Sequence, residues 1–145
     1  MRVELEGFID FYLLDSREQI DTLGAGLLQL EKERRNIGLI NDLFRTAHSL
    51  KGASGTMGFT SIVTITHAAE DLLNRLRQGK MDTSLDMINT LLAVTDRVKA
   101  MLTQVELRRE ITVAFEDLVS SIRKSEKVNN GQGSSMRVIT SQTGA

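Results

Sequence analysis

The stretch Leu39-Ile40-Asn41-Asp42-Leu43-Phe44-Arg45-Thr46-Ala47-His48-Ser49-Leu50-Lys51-Gly52-Ala53-Ser54-Gly55-Thr56-Met57-Gly58 decides how this chain is read. Ile40, Leu43, Phe44, Ala47, Leu50 and Ser54 recur at steps of three and four, the spacing that lines one face of an α-helix. Gly58 follows that run, where a glycine closes a helix. The whole chain of 145 residues contains no proline. Long helices are therefore unbroken, and the proline-marked turns of many all-β domains are missing.

Four more helices follow from the same spacing. The first runs from about Glu4 to Arg34, with Phe8, Tyr12, Ile20, Leu23, Leu27 and Leu30 as its buried stripe, and Asn36 and Gly38 mark the break after it. Gly24 and Gly26 weaken it by about 1 kcal/mol each relative to alanine, and close helix packing is the simplest reason for them. Thr60 or Ser61 caps a third helix, whose face is Ile62, Ile65, Ala69, Leu72 and Leu76 and which stops near Gly79. A fourth opens on Thr83-Ser84-Leu85-Asp86, close to a capping box with Asp in place of Glu, and buries Leu85, Ile88, Leu91, Leu92, Val98 and Leu102. A fifth runs from about Glu106 to Lys127 on Leu107, Ile111, Ala114, Phe115, Leu118 and Ile122. The expected fold is all-α: an antiparallel up-down-up-down four-helix bundle over residues 1–127, with the fifth helix packed on its outside. Residues 128–145, which include Asn129-Asn130-Gly131-Gln132-Gly133-Ser134-Ser135, read as a flexible linker or tail.

Composition excludes several classes. Eighteen Lys and Arg against nineteen Asp and Glu leave a formal net charge of −1, so no bulk attraction to nucleic acid or an anionic membrane is expected. Without cysteine there are no disulfides, thiolate metal sites or cysteine nucleophile. No apolar run approaches the ~18 residues of a membrane span. The first six residues lack the apolar core of a signal peptide, and a cytoplasmic location is expected.

Within the second helix, His48 lies about 100° from the centre of the apolar face, at its edge. Gly52 and Gly55 are its i+4 and i+7 neighbours, so an exposed imidazole is followed by a strip without side chains. Two such glycines cost roughly 2 kcal/mol of helix stability. A docking surface gains from them, because a partner can bring its own active site close to the ring. The third helix has a polar stripe of Thr66, His67, Glu70, Asn74 and Arg77. If the chain turns back at Phe59, His48 and Glu70, each eleven residues from it, share one level, and Lys51 and His67, each eight residues away, share the next. Two imidazoles, an ammonium and a carboxylate then cluster.

A neutral imidazole is a good nucleophile near pH 7. Glu70 is placed to accept a hydrogen bond from Nδ1 of His48, leaving Nε2 free, and to balance positive charge growing on the ring. Lys51 supplies a cation for anionic oxygens such as those of a phosphoryl group. His67 is placed to hold Glu70 or Lys51. Two other readings use the same residues: a helical adaptor without covalent chemistry, and a zinc site of His48, His67 and Glu70, which has few ligands and a lysine beside it. An enzyme acting alone is disfavoured, since the chain has no phosphate loop and no nucleophile elbow.

Ala47-His48-Ser49-Leu50-Lys51-Gly52-Ala53-Ser54-Gly55-Thr56-Met57-Gly58-Phe59 resembles the signature of histidine-containing phosphotransfer domains. With Thr66-His67-Ala68-Ala69-Glu70-Asp71-Leu72-Leu73 and Arg77-Gln78-Gly79-Lys80-Met81, the resemblance narrows to the N-terminal phosphotransfer domains of CheA-type chemotaxis histidine kinases, and it covers about residues 5 to 127. It implies that His48 accepts the γ-phosphoryl of ATP at Nε2 from the kinase's ATP-binding domain and donates it to an aspartate of a CheY-type or CheB-type response regulator. Glu70, Lys51 and His67 would support the ring, and Ser49, Gly52 and Gly55 would meet the docking partner. The domain itself would bind no cofactor and no metal, with ATP and Mg²⁺ arriving on the partners. No nucleotide-binding motif follows residue 128, so the chain reads as a fragment of a larger kinase or as a free-standing phosphorelay protein.

Overall fold

The computed structural model describes the backbone of residues 2–132 and the side chains of residues 4–124. Among these residues the structure is entirely helical: α1 (Arg2–Lys32), α2 (Ile37–Met57), α3 (Thr60–Arg77), α4 (Leu85–Glu106) and α5 (Glu116–Gln132). Helix α1 packs on α2 and α4, α3 packs on α2 and α4, and α5 lies mainly against α3. Neighbours in the ring are antiparallel. Tyr12, near the start of α1, bonds Ser54, near the end of α2, with its OH 2.6 Å from Ser54 Oγ. Arg17 on α1 reaches Glu106 at the last turn of α4 at 2.7 Å.

The core is built from one face of each helix. Ile20, Leu23, Leu27 and Leu30 of α1 meet Ile40, Leu43, Ala47 and Leu50 of α2, Ile62, Ile65, Leu72 and Leu73 of α3, and Ile88, Leu91, Val98 and Leu102 of α4. Fully burying one such aliphatic side chain contributes about 1.5–3 kcal/mol. Four members of the sequence-predicted stripes, Phe8, Leu85, Leu107 and Ala114, are not in it. Phe8 is 64% exposed and Leu85 43% exposed. At the start of α1, Ile9 packs against the core instead, one residue along and therefore about 100° around the helix from Phe8.

The helix ends follow local chemistry. Asn36 caps α2, its Oδ1 accepting from Leu39 N at 3.0 Å. Gly58 closes α2 in the left-handed region at φ 80°, with Gly58 N donating to Gly55 O and Phe59 N to Ser54 O. The cap of α3 differs from the expectation: Thr60 is already helical, Phe59 holds the cap position, and no side chain caps the helix. Ser84 alone caps α4 by accepting from Met87 N, so Thr83 and Asp86 form no capping box.

The fifth helix also differs. Residues 107–115 are not helical, and α5 begins only at Glu116. Helix α4 ends in a Schellman turn around Arg108, with φ 56°: Arg108 N donates to Val105 O and Arg109 N to Gln104 O. The left-handed conformation costs a non-glycine residue roughly 1–2 kcal/mol. The guanidinium of Arg108 also bonds the carboxylate of Glu6 in α1. Gln104 then ties down the connector, its Oε1 accepting from Thr112 N at 2.9 Å. Ile111, Val113 and Phe115 pack against the core from that extended segment, Leu107 is exposed, and Leu118 and Ile122 seat α5. Helix α5 continues through Gln132, four residues into the glycine- and asparagine-rich stretch read as linker; the rest of that stretch lies outside the described residues.

Gly26 has the packing reason proposed for it: a Cβ there would collide with Cδ2 of the buried Leu43. At Gly24 no neighbour lies within 4 Å, and nothing in the structure explains that glycine.

Candidate functional site

His48 sits on α2 between two core residues, Ala47 and Leu50, and this phase turns its imidazole outward, 63% exposed. Across the helix pair, Glu70 is on the inward side of α3, and its side chain is only 8% exposed. A buried carboxylate needs hydrogen-bond donors. Glu70 has two: His48 Nδ1 donates to Oε2, and Lys51 Nζ donates to Oε1 at 2.6 Å. His48 and Glu70 face each other because α2 and α3 run antiparallel from the tight turn at Gly58 and Phe59, and Lys51, about one turn nearer that connection, reaches the same carboxylate.

Burial pushes the Glu70 carboxyl up. The hydrogen bonds from Lys51 and His48, with their positive charge, outweigh that and hold it below the ordinary glutamate value. Glu70 is therefore an anion at neutral pH, acceptor-only, so the hydrogen in its bond to the ring belongs to Nδ1 of His48. In the neutral form of the ring, the lone pair is then on the other nitrogen, Nε2. It carries no hydrogen bond among the described residues.

The second imidazole is placed differently from the expectation. His67 is exposed, and its Nε2 lies 3.5 Å from Asp71 Oδ2, one turn along α3; it bonds neither Glu70 nor Lys51. Asp71 in turn accepts from Arg123 Nη1 of α5 at 2.7 Å. His67, Glu70 and Asp71 bring ligand-type atoms within 4.8 Å of one another, without His48. Both carboxylates already bond cations of the protein, Lys51 and Arg123, which disfavours a metal there.

Ser49, Gly52 and Gly55 are exposed on α2 beside the imidazole. A Cβ at Gly52 would meet nothing within 4 Å, and one at Gly55 only Val63 Cγ2 at 3.8 Å, an ordinary contact. Packing inside the bundle does not require either glycine. One further group stands at the site. Phe44, read as a core-face residue, is half-buried one turn before His48, with its ring inclined 20° to the imidazole and 6.3 Å from it between centroids. The i,i+4 spacing of Phe44 and His48, like that of His67 and Asp71, was the available signal.

The fold and this arrangement define a phosphotransfer bundle. The Hpt domain family matches residues 7–108, and the chain belongs to that family. Among its relatives, the chemotaxis protein CheA of Bacillus subtilis is 34% identical over 99 residues, 68% of this chain and 15% of that protein. The chain thus spans about one seventh of that relative's length. The solution structure of the histidine phosphotransfer domain of CheA superposes with a TM-score of 0.76 at 27% identity, covering 81% of this chain and 90% of that one. The phosphorylated P1 domain of CheA3 from R. sphaeroides, solved in complex with CheY6, gives 0.75 at 25% identity, covering 82% and 94%.

Proposed function

We propose that this chain is the phosphotransfer domain of a CheA-type histidine kinase and that His48 is its phosphoacceptor. The observation that carries the reading is the pairing of a solvent-open Nε2 with an Nδ1 bonded to a buried carboxylate. The Nε2 lone pair forms the N–P bond with the γ-phosphorus of ATP as the P–O bond to ADP breaks, its electron pair leaving on the ADP oxygen. Nδ1 keeps its hydrogen on Glu70, and the carboxylate balances the positive charge developing in the ring. In the second transfer an aspartate oxygen of a response regulator forms the new P–O bond, the N–P bond breaks, and its pair returns to Nε2. The relative crystallised with CheY6 supports a CheY-type regulator as that acceptor; a CheB-type regulator has the same chemistry to offer.

In this reading the chain is substrate and phosphodonor rather than catalyst. The kinase's ATP-binding domain brings ATP, and Mg²⁺ arrives with the partners. Lys51 holds Glu70 and lies near incoming anionic oxygens, and the open backbone at Gly52 and Gly55, with Ser49, admits the partner's active site. No helix among the described residues is long and apolar enough to cross a membrane, which is consistent with a cytoplasmic relay. The test is labelling by ATP and the ATP-binding domain of a CheA kinase. The expected product is acid-labile and base-stable, and it disappears in His48→Gln while the far-UV circular dichroism stays helical. Labelling of His48→Gln at the wild-type level would overturn the assignment.

A further inference from the structure

A single hydrogen bond does not fix a ring. The Glu70 contact restrains His48 at Nδ1 alone, and the remaining freedom of the ring is torsion about Cα–Cβ and Cβ–Cγ, which moves Nε2. A second contact is needed to set the ring plane. Phe44 is the aromatic neighbour of the imidazole, its centroid 6.3 Å away and the two planes 20° apart, within the range of interacting aromatic pairs. Phe44 is itself held. The guanidinium carbon of Arg77 lies 4.3 Å from its ring centroid, a cation–π contact. Arg77 is anchored in turn, with Nε and Nη2 donating to Asn74 Oδ1 at 3.1 and 2.5 Å. Asn74 and Arg77 stand one and two turns beyond Glu70 on α3, so the helix that fixes Nδ1 also fixes the residue pinning Phe44.

We infer that Phe44, clamped by Arg77, is a positioning residue for phosphoryl transfer: it sets the plane of the His48 imidazole and so the direction of the Nε2 lone pair. The inference rests on the phosphotransfer reading of His48. Neither residue touches the reacting atoms in this scheme. Their effect falls on the fraction of time in which the lone pair is aimed at phosphorus, and attack geometry of this kind carries a large share of a transfer rate.

The test uses the full chain with a CheA ATP-binding domain and ATP, and it separates kcat from KM. Phe44→Leu, which removes the ring but keeps an apolar side chain, is expected to lower kcat by about three- to ten-fold with KM unchanged. Arg77→Ala, an exposed change that leaves the core intact, lowers it in the same direction by about two- to five-fold. Phe44→Tyr restores most of the rate. The ¹³C relaxation of the His48 ring, measured without any kinase, shows added mobility in Phe44→Leu and Arg77→Ala but not in Phe44→Tyr. Wild-type kcat and wild-type ring relaxation in both variants would overturn the inference. A change confined to KM would do so too, since it would place Phe44 and Arg77 in contact with the partner instead. Failure of the underlying reading is distinct: the wild-type chain itself would take up no phosphoryl group, whatever the ring relaxation.

Discussion

His48 and Glu70, 22 positions apart, are joined by a hydrogen bond in which the exposed partner is the imidazole proposed as nucleophile and the buried partner is the charge. The usual preference is for charged groups to face water. Here the carboxylate lies beneath the surface, and Lys51 Nζ at 2.6 Å supplies the second donor that lets it remain ionised there. The imidazole gains a fixed tautomer and a countercharge without losing access to a partner.

Glu70→Gln removes that charge while keeping the side chain's size. The account expects kcat for phosphorylation of His48 to fall by about ten- to hundred-fold, the worth of a charge-assisted hydrogen bond, with little change in KM. Steady-state phosphorylation by a CheA ATP-binding domain measures both. A rise in KM at constant kcat would mean that Glu70 serves docking and not the ring.

The same carboxylate makes stability depend on pH. Its pKa in the folded protein is lowered, so the stabilisation it gives is complete above the ordinary glutamate value of 4.5 and is lost as pH falls through the folded value. Urea unfolding of wild type and Glu70→Gln across pH 7 to 3 isolates this group from the other carboxylates. The wild type is expected to hold an advantage at neutral pH that shrinks below about pH 4.5. A gap that stays constant, or widens, in acid would contradict the assigned direction.

Gly52→Ala separates folding from docking. Alanine is the better helix former by about 1 kcal/mol, and an added Cβ meets nothing within the bundle. The variant is expected to be more stable toward urea by that amount and yet to show a raised KM for phosphorylation. A more stable protein with wild-type KM would remove Gly52 from the docking surface.

The four bundle helices and the His48, Lys51 and Glu70 levels were legible because each rests on local rules: apolar spacing, a left-handed glycine at 58, and equal distances from a turn. What escaped depends on contacts remote in sequence. The end of α4 carries no glycine or proline; Arg108 adopts the left-handed conformation beside Glu6, 102 residues away. The non-helical connector that follows has helix-compatible spacing, so residues 107–115 passed for a helix and the phase of Arg123 was out of reach. Phe8 and Ile9 stand four and three residues before Tyr12, and both steps suit a helix stripe; only the packing of α1 on its neighbours selects Ile9. His67 had two acidic neighbours at helical spacing, Glu70 and Asp71, and went to Asp71 because Lys51 and His48 already occupied Glu70.

The most direct measurement is the position of phosphorus on the ring. The ¹⁵N-labelled chain, phosphorylated and observed by ¹H–¹⁵N and ³¹P NMR, is expected to show phosphorus bonded to Nε2 of His48, with a hydrogen retained on Nδ1. Phosphorus on Nδ1, or on any residue other than His48, would contradict the account.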